Sequence, residues 1–189
     1  MIKTHLKGQR QEFESGVTPA EVAQSIGMGL VKAACAARVD GEGKDLRTPL
    51  TQDCALEILT FDEAEGKHAY WHTTAHIMAQ AVNRLYPGTK FAIGPAIENG
   101  FYYDFDMDTP LSSEELPKIE EEMKKIIKEN LELEKFELPA EEAKREMAGQ
   151  EYKEELIDEH SGNGEKISFY RQGDFTDLCA GPHLMSTGG

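Results

Sequence analysis

His72 and His76 stand four residues apart in a stretch of helical periodicity, which stacks their imidazoles one above the other on one side of a helix. An imidazole takes up or gives away a proton near neutral pH, so such a pair suits hydrolysis or metal binding. Much later comes Asp177-Leu178-Cys179-Ala180-Gly181-Pro182-His183, a carboxylate, a thiol and an imidazole around a rigid Gly-Pro bend that turns the chain back on itself. A lone histidine on a helix is more often structural, and Cys35 and Cys54 read as small buried hydrophobes. The two halves together, His-x-x-x-His and Cys-x-x-x-His, are a much rarer coincidence and point to one hydrolytic site.

The same four side chains, His72, His76, Cys179 and His183, are good zinc ligands. If all four bound zinc, the tetrahedral shell would be closed, as in a structural site. If three bound, a position would remain for an activated water.

These residues need elements to hold them. Residues 1–61 read as a small unit: strands at Ile2–Leu6 and around Phe13, then a helix announced by Thr18-Pro19-Ala20-Glu21, with Thr18 as cap, Pro19 at the first helical position and Glu21 closing a capping box. Further strands are expected at Arg38–Gly41, Asp45-Leu46 and Ala55–Thr60. That order suggests a β-grasp. Residues 62–189 form a larger second unit. A helix opens at Tyr70 and runs to Tyr86, its apolar stripe being Trp71, Ala75, Met78, Val82 and Leu85. Lys90–Ile97 and Phe101–Met107 flank Glu98-Asn99-Gly100, whose Asn-Gly pair signals a hairpin, in which Tyr102 and Tyr103 alternate so that only one faces the site. Ser112, Ser113 and Glu115 announce a helix with the face Leu116, Ile119, Met123, Ile126 and Ile127; another covers Ala140 to about Ile157. Ile167–Arg171 and Phe175–Cys179 read as strands around Gln172-Gly173-Asp174. The fold class is therefore α+β, a β-grasp followed by an antiparallel sheet with helices.

The 189 residues are 39% hydrophobic, which is adequate for packed cores, and no run is long and apolar enough to span a membrane. Three scattered cysteines make no disulfide framework; with no signal peptide, they place the protein in the reducing cytoplasm. The net charge of −15 excludes a general nucleic-acid binder, so any RNA contact must be local. Much of the excess lies between Glu114 and Glu155 and reads as a solvated surface.

His72-Thr73-Thr74-Ala75-His76, the stretch from Gly94 to Asp104 and Asp177–His183, behind a β-grasp, resemble the amino-terminal region of bacterial threonyl-tRNA synthetases. The resemblance covers essentially the whole chain. It implies a TGS domain and then an editing domain that hydrolyses serine wrongly esterified to threonine tRNA. Serine lacks one methyl of threonine, a difference worth only about 1–3 kcal/mol to a binding pocket, so a second sieve is needed. In this reading His72, His76 and His183 orient water or contact the ribose. Lys153 matches a family position associated with editing, although helical periodicity alone makes it a solvated lysine. Asp177 orients Lys153 or binds the substrate ammonium, Cys179 lines the serine pocket, and Tyr102 or Tyr103 touches substrate. The family commonly has arginine where this chain has Ala180, which weakens one contact near the site.

Hydrolysis is expected to need no cofactor. ATP, a further zinc and the dimer contacts of full-length family members belong to a synthetase core beyond this stretch, so the chain reads as an excised fragment. Two other readings stay open: an alanyl-type editing module, and a non-enzymatic regulatory module built on a structural zinc.

Overall fold

The computed structural model describes residues 1–189, the side chain of Asn163 excepted. The chain divides into two units, one of Met1–Trp71 with Gly181–Met185 and Gly189, the other of His72–Ala180 with Ser186–Gly188.

In the first unit, β1 (Ile2–Leu6) and β2 (Gln9–Phe13) form a hairpin in which Ile2 faces Phe13 and Leu6 faces Gln9. After α1 (Pro19–Ile26) and α2 (Met28–Ala33) come β3 (Ala34–Val39), β4 (Glu42–Lys44) and β5 (Cys54–Thr60). The strand order is β2-β1-β5-β3-β4, with β5 parallel to β1 and antiparallel to β3, the β-grasp arrangement. Alternation drives it: Ile2, Thr4 and Leu6 of β1 and Cys54, Leu56 and Ile58 of β5 are buried, and Val22 and Ala23 of α1 pack into the same core. The capping box at Thr18 and Glu21 is present in full. Asp45-Leu46, expected as a strand, is not one. Leu46 is instead fully buried, and its carbonyl accepts the Ala20 N–H at 2.9 Å, so these residues serve the start of α1.

Helix α3 spans Ala64–Leu85 and begins six residues before the expected Tyr70. The signal for the earlier start is local. Thr60 donates through its N–H and its hydroxyl to Glu63, and Gly66 lets the first turn lie against the Thr60 carbonyl. Within the second unit Ala75, Met78, Val82 and Leu85 supply the buried stripe.

The expected hairpin is present as two short ladders, β6 (Lys90–Phe91) with β9 (Phe105–Asp106) and β7 (Ala96–Ile97) with β8 (Gly100–Phe101). Ile97 pairs with Gly100, so the turn is Glu98-Asn99 rather than Asn99-Gly100. Regular pairing lapses between the ladders, where Pro95 has no N–H to donate. In α4 (Leu116–Glu129) Ile119 and Ile126 are buried and Met123 partly so, but Leu116 and Ile127 are exposed, and the buried face is narrower than the apolar pattern. The helix expected over Ala140–Ile157 is two, α5 (Ala140–Glu146) and α6 (Glu151–His160), separated at Gly149, whose φ of +87° no helix tolerates. An antiparallel sheet, β10 (Leu133–Leu138), β11 (Ile167–Gln172) and β12 (Phe175–Leu178), completes the unit. The edge strand β10 escapes the alternation test because Glu134, Lys135 and Glu137 are all exposed, as suits an edge.

Gly66 gives a test. In an ordinary helix alanine is favoured over glycine by about 1 kcal/mol. Here a Cβ would lie 1.9 Å from the Thr60 carbonyl oxygen. Gly66→Ala should therefore reverse the usual sign and destabilise by about 1–3 kcal/mol, measured as a lower urea midpoint; an unchanged or raised midpoint would count against this tight entry to α3.

Candidate active site

Four elements of the second unit surround a cavity of about 330 Å³. His72 and His76 come from α3, Gly94, Pro95 and Tyr103 from the hairpin segment, Lys153 and Leu156 from α6, and Asp177 and Cys179 from β12 and the residue after it. Along β12 the side chains of Phe175, Asp177 and Cys179 alternate with Thr176 and Leu178, and the first set is buried.

Asp177 is the electrostatic centre. Its Oδ1 lies 2.9 Å from Lys153 Nζ, its Oδ2 accepts the Tyr103 hydroxyl at 2.6 Å, and His76 Nε2 is 3.7 Å from the same Oδ2. Lys153 Nζ also donates to the Tyr103 oxygen at 3.2 Å. Burial pushes the Asp177 carboxyl up, but the Lys153 ammonium and the hydrogen bonds from Tyr103 and Lys153 outweigh it and hold the group below its ordinary value. Burial raises the Tyr103 phenol well above its usual range, so it stays protonated and donates. Burial lowers His76 to about 4 despite the opposing pull of Asp177, which leaves a neutral imidazole at neutral pH. The rings of His72 and His76 meet edge to face, 5.3 Å apart, and Cys179 Sγ lies 3.3 Å from His72 Nε2.

Lys153 is only 4% exposed, so it is not the solvated lysine that periodicity alone suggests. The break at Gly149 lets α6 take its own direction, and with it Lys153 enters the cavity. Of the two tyrosines, Tyr103 lines the cavity and Tyr102 is exposed on the hairpin. His183 belongs to the first unit, where its backbone N–H donates to Asp45 at 2.9 Å. Ala180 is on the cavity wall and contributes no charge.

Three supporting residues escape the sequence reading. Gln80 of α3 and Gln172 of β11 are fully buried and bond reciprocally: Gln172 Nε2 donates to Gln80 Oε1 at 2.8 Å and to the His76 carbonyl at 3.3 Å, and Gln80 Nε2 donates to the Gln172 carbonyl at 3.1 Å. This clamp fixes the turn of α3 that carries His76. Gly94 is the third, since a Cβ there would lie 2.1 Å from the Tyr103 ring. For Gln80 the available signal was its place one helical turn after His76 on α3; nothing in the sequence marks Gln172 or the glycine contact.

Residues 2–60 match the TGS domain, and residues 167–189 match the threonyl and alanyl tRNA synthetase second additional domain. Over its full length the chain is 60% identical to a threonine–tRNA ligase of Acetivibrio thermocellus and 58% identical to one of Clostridium botulinum. The chain is similar to the amino-terminal region of threonine–tRNA ligases. A third such ligase, from Clostridium perfringens, is 54% identical over 98% of the chain. The chain spans about 30% of the length of these relatives. The matched length spans the whole chain and so includes positions 72, 76 and 153, which lie outside residues 167–189 matched to the second additional domain.

The buried ion pair can be tested apart from function. Lys153→Met leaves the Asp177 charge uncompensated and should destabilise the second unit by about 3–5 kcal/mol, whereas Lys153→Met with Asp177→Asn should recover much of that loss. Urea unfolding measures both; equal losses in the single and double variants would show that the pair is not coupled.

Proposed function

We propose that residues 62–189 act as an editing hydrolase that cleaves the ester between serine and the 3′ end of threonine tRNA, with residues 1–61 as a TGS-type domain. The observation that carries this reading is the single cavity in which a neutral imidazole, an ammonium and a buried carboxylate face the same space. Ester hydrolysis requires an oriented water, a proton acceptor, stabilisation of the oxyanion and a proton for the leaving ribose oxygen. His72 and His76 orient the water and the ribose hydroxyl, and a neutral His76 can accept a proton. Lys153 has three N–H donors; Asp177 and Tyr103 engage two, and the third is directed to the oxyanion. Asp177 positions Lys153, and Cys179 narrows the cavity against the threonine methyl. The partner is a tRNA and the compartment the cytoplasm; among the described residues no helix is long and apolar enough to cross a membrane. Joining threonine to tRNA, the activity in the relatives' names, belongs in this proposal to chains of which this one spans about 30%.

Supplied with charged threonine tRNA, the chain should release serine at least about tenfold faster than threonine, the discrimination of one methyl. Equal rates in a deacylation assay would remove the sieve.

A second reading has its own observation. Ligand atoms of His72, His76 and Cys179 lie within 4.8 Å of one another, compact enough for a zinc ion, which would supply a Lewis acid and an activated water. Lys153 argues for the metal-free reading, because an ammonium in the same cavity disfavours a second cation. Elemental analysis with deacylation before and after chelation decides between them: metal-free catalysis predicts unchanged rates, and stoichiometric zinc whose removal abolishes activity and whose return restores it would establish the alternative.

A further inference from the structure

The direction of α6 decides whether Lys153 reaches the cavity, and the three residues immediately before Lys153 all hold the same short strand pair. Gln150 binds the backbone of Thr89 and Phe91, Glu151 pairs with Lys90 at 2.8 Å, and the Tyr152 hydroxyl donates to Asp106 at 2.9 Å. Lys90 and Asp106 are themselves opposite one another in the β6–β9 ladder. The first turn of α6 is thus seated on that ladder.

The three contacts differ in kind. The Lys90–Glu151 pair is exposed, and screened ion pairs of that sort hold little. Tyr152 and Asp106 are exposed as well. Gln150 is half-buried and acts on the backbone. Its Oε1 accepts the Phe91 N–H at 2.9 Å and its Nε2 donates to the Thr89 carbonyl at 3.2 Å, the two bonds that the backbone of a neighbouring strand would make. Thr89 and Phe91 are buried, so water is a poor substitute for that partner. The Gln150 backbone carbonyl meanwhile accepts the N–H groups of Lys153 at 2.9 Å and Glu154 at 3.0 Å, and its side chain makes no cap on the helix. One residue therefore ties the strand on one side to the turn that carries Lys153 on the other.

We propose that Gln150 is a positioning residue for the hydrolysis: its amide fixes the first turn of α6 on β6 and so holds the Lys153 ammonium against Asp177 and Tyr103, with its remaining N–H directed to the oxyanion. The role in catalysis rests on the editing reading of that cavity, whereas the placement of Lys153 is a separate and measurable statement.

The 189-residue chain, labelled with ¹⁵N on its lysine side chains, reports that placement by NMR. Burial and pairing with Asp177 slow the exchange of the Lys153 ammonium protons with water, so the wild type should show a resolved ammonium signal near neutral pH, which Lys153→Arg assigns by its loss. Gln150→Met keeps the length of the side chain and removes both bonds. It should abolish or displace that signal while the amide signals of β10, β11 and β12 stay in place. In deacylation of seryl-tRNA the same variant should lose at least about tenfold in kcat with KM within about twofold, since a small misplacement of a catalytic group is enough to cost that much. Gln150→Glu keeps the acceptor for Phe91 but sets an oxygen against the Thr89 carbonyl; it should fall between the two, and it decides the matter if Gln150→Met does not fold. Lys90→Met, which breaks the exposed pair to the same turn, should keep the ammonium signal and the wild-type kcat. A loss there as large as that of Gln150→Met would show that any loosening of α6 has the same effect, and would overturn the assignment. An unmoved ammonium signal in both Gln150 variants would overturn it too, as would a moved signal with unchanged kcat. If the wild type holds the signal but releases no serine, the editing reading falls, and the signal in the Gln150 variants alone still decides the placement.

Discussion

A buried carboxylate dictates the shape of the second unit's cavity. An ionised Asp177 cannot sit in the interior unless a positive charge and hydrogen-bond donors come to it. They come from separate places: Lys153 from α6, Tyr103 from the hairpin segment and the Leu178 N–H from its own strand, at 2.8 Å. His76 of α3 completes the surroundings. Satisfying one charge thus brings together elements that are distant in sequence, and the cavity is the space their side chains leave. The same arrangement prepares a donor-rich environment without moving parts, which is what hydrolysis of an ester demands of a site.

Features set by neighbours in sequence were legible. The α1 start followed from Thr18, Pro19 and Glu21, and the β1 and β5 alternation translated directly into a buried face. Features set by contacts across the chain were not. Gly149 looks tolerable inside a helical pattern and yet ends α5, and Pro95 interrupts a hairpin whose flanks alternate well. The candidate residues show the same division. His72 and His76 are visible as a spacing, whereas the burial of Lys153 in a helix rich in glutamate depends on where α6 points, which no periodicity within α6 reveals.

The acidic excess has a structural place. On α4, Lys124 pairs with Glu120 and Glu121, and Lys125 with Glu122, all as intrahelical surface contacts. Exposed pairs of this kind contribute little to stability, so they serve solubility more than they serve the fold. The cavity's charges are different in kind: few, buried and matched. Net charge therefore describes the outside of this protein and says little about the chemistry of its interior.

The alternation along β12 has a geometrical consequence. Phe175 joins the core beneath the hairpin, Asp177 meets Lys153 and Cys179 meets His72, all from one side of a strand held in register with β11 by a turn of two residues. A side chain's face is a matter of parity. Lengthening or shortening that turn by one residue would exchange the odd and even positions and carry Asp177 and Cys179 away from Lys153 and His72. The turn at Gly173 and Asp174 therefore behaves as a phase setting for the cavity: drift in its composition can be absorbed, but a change in its length cannot.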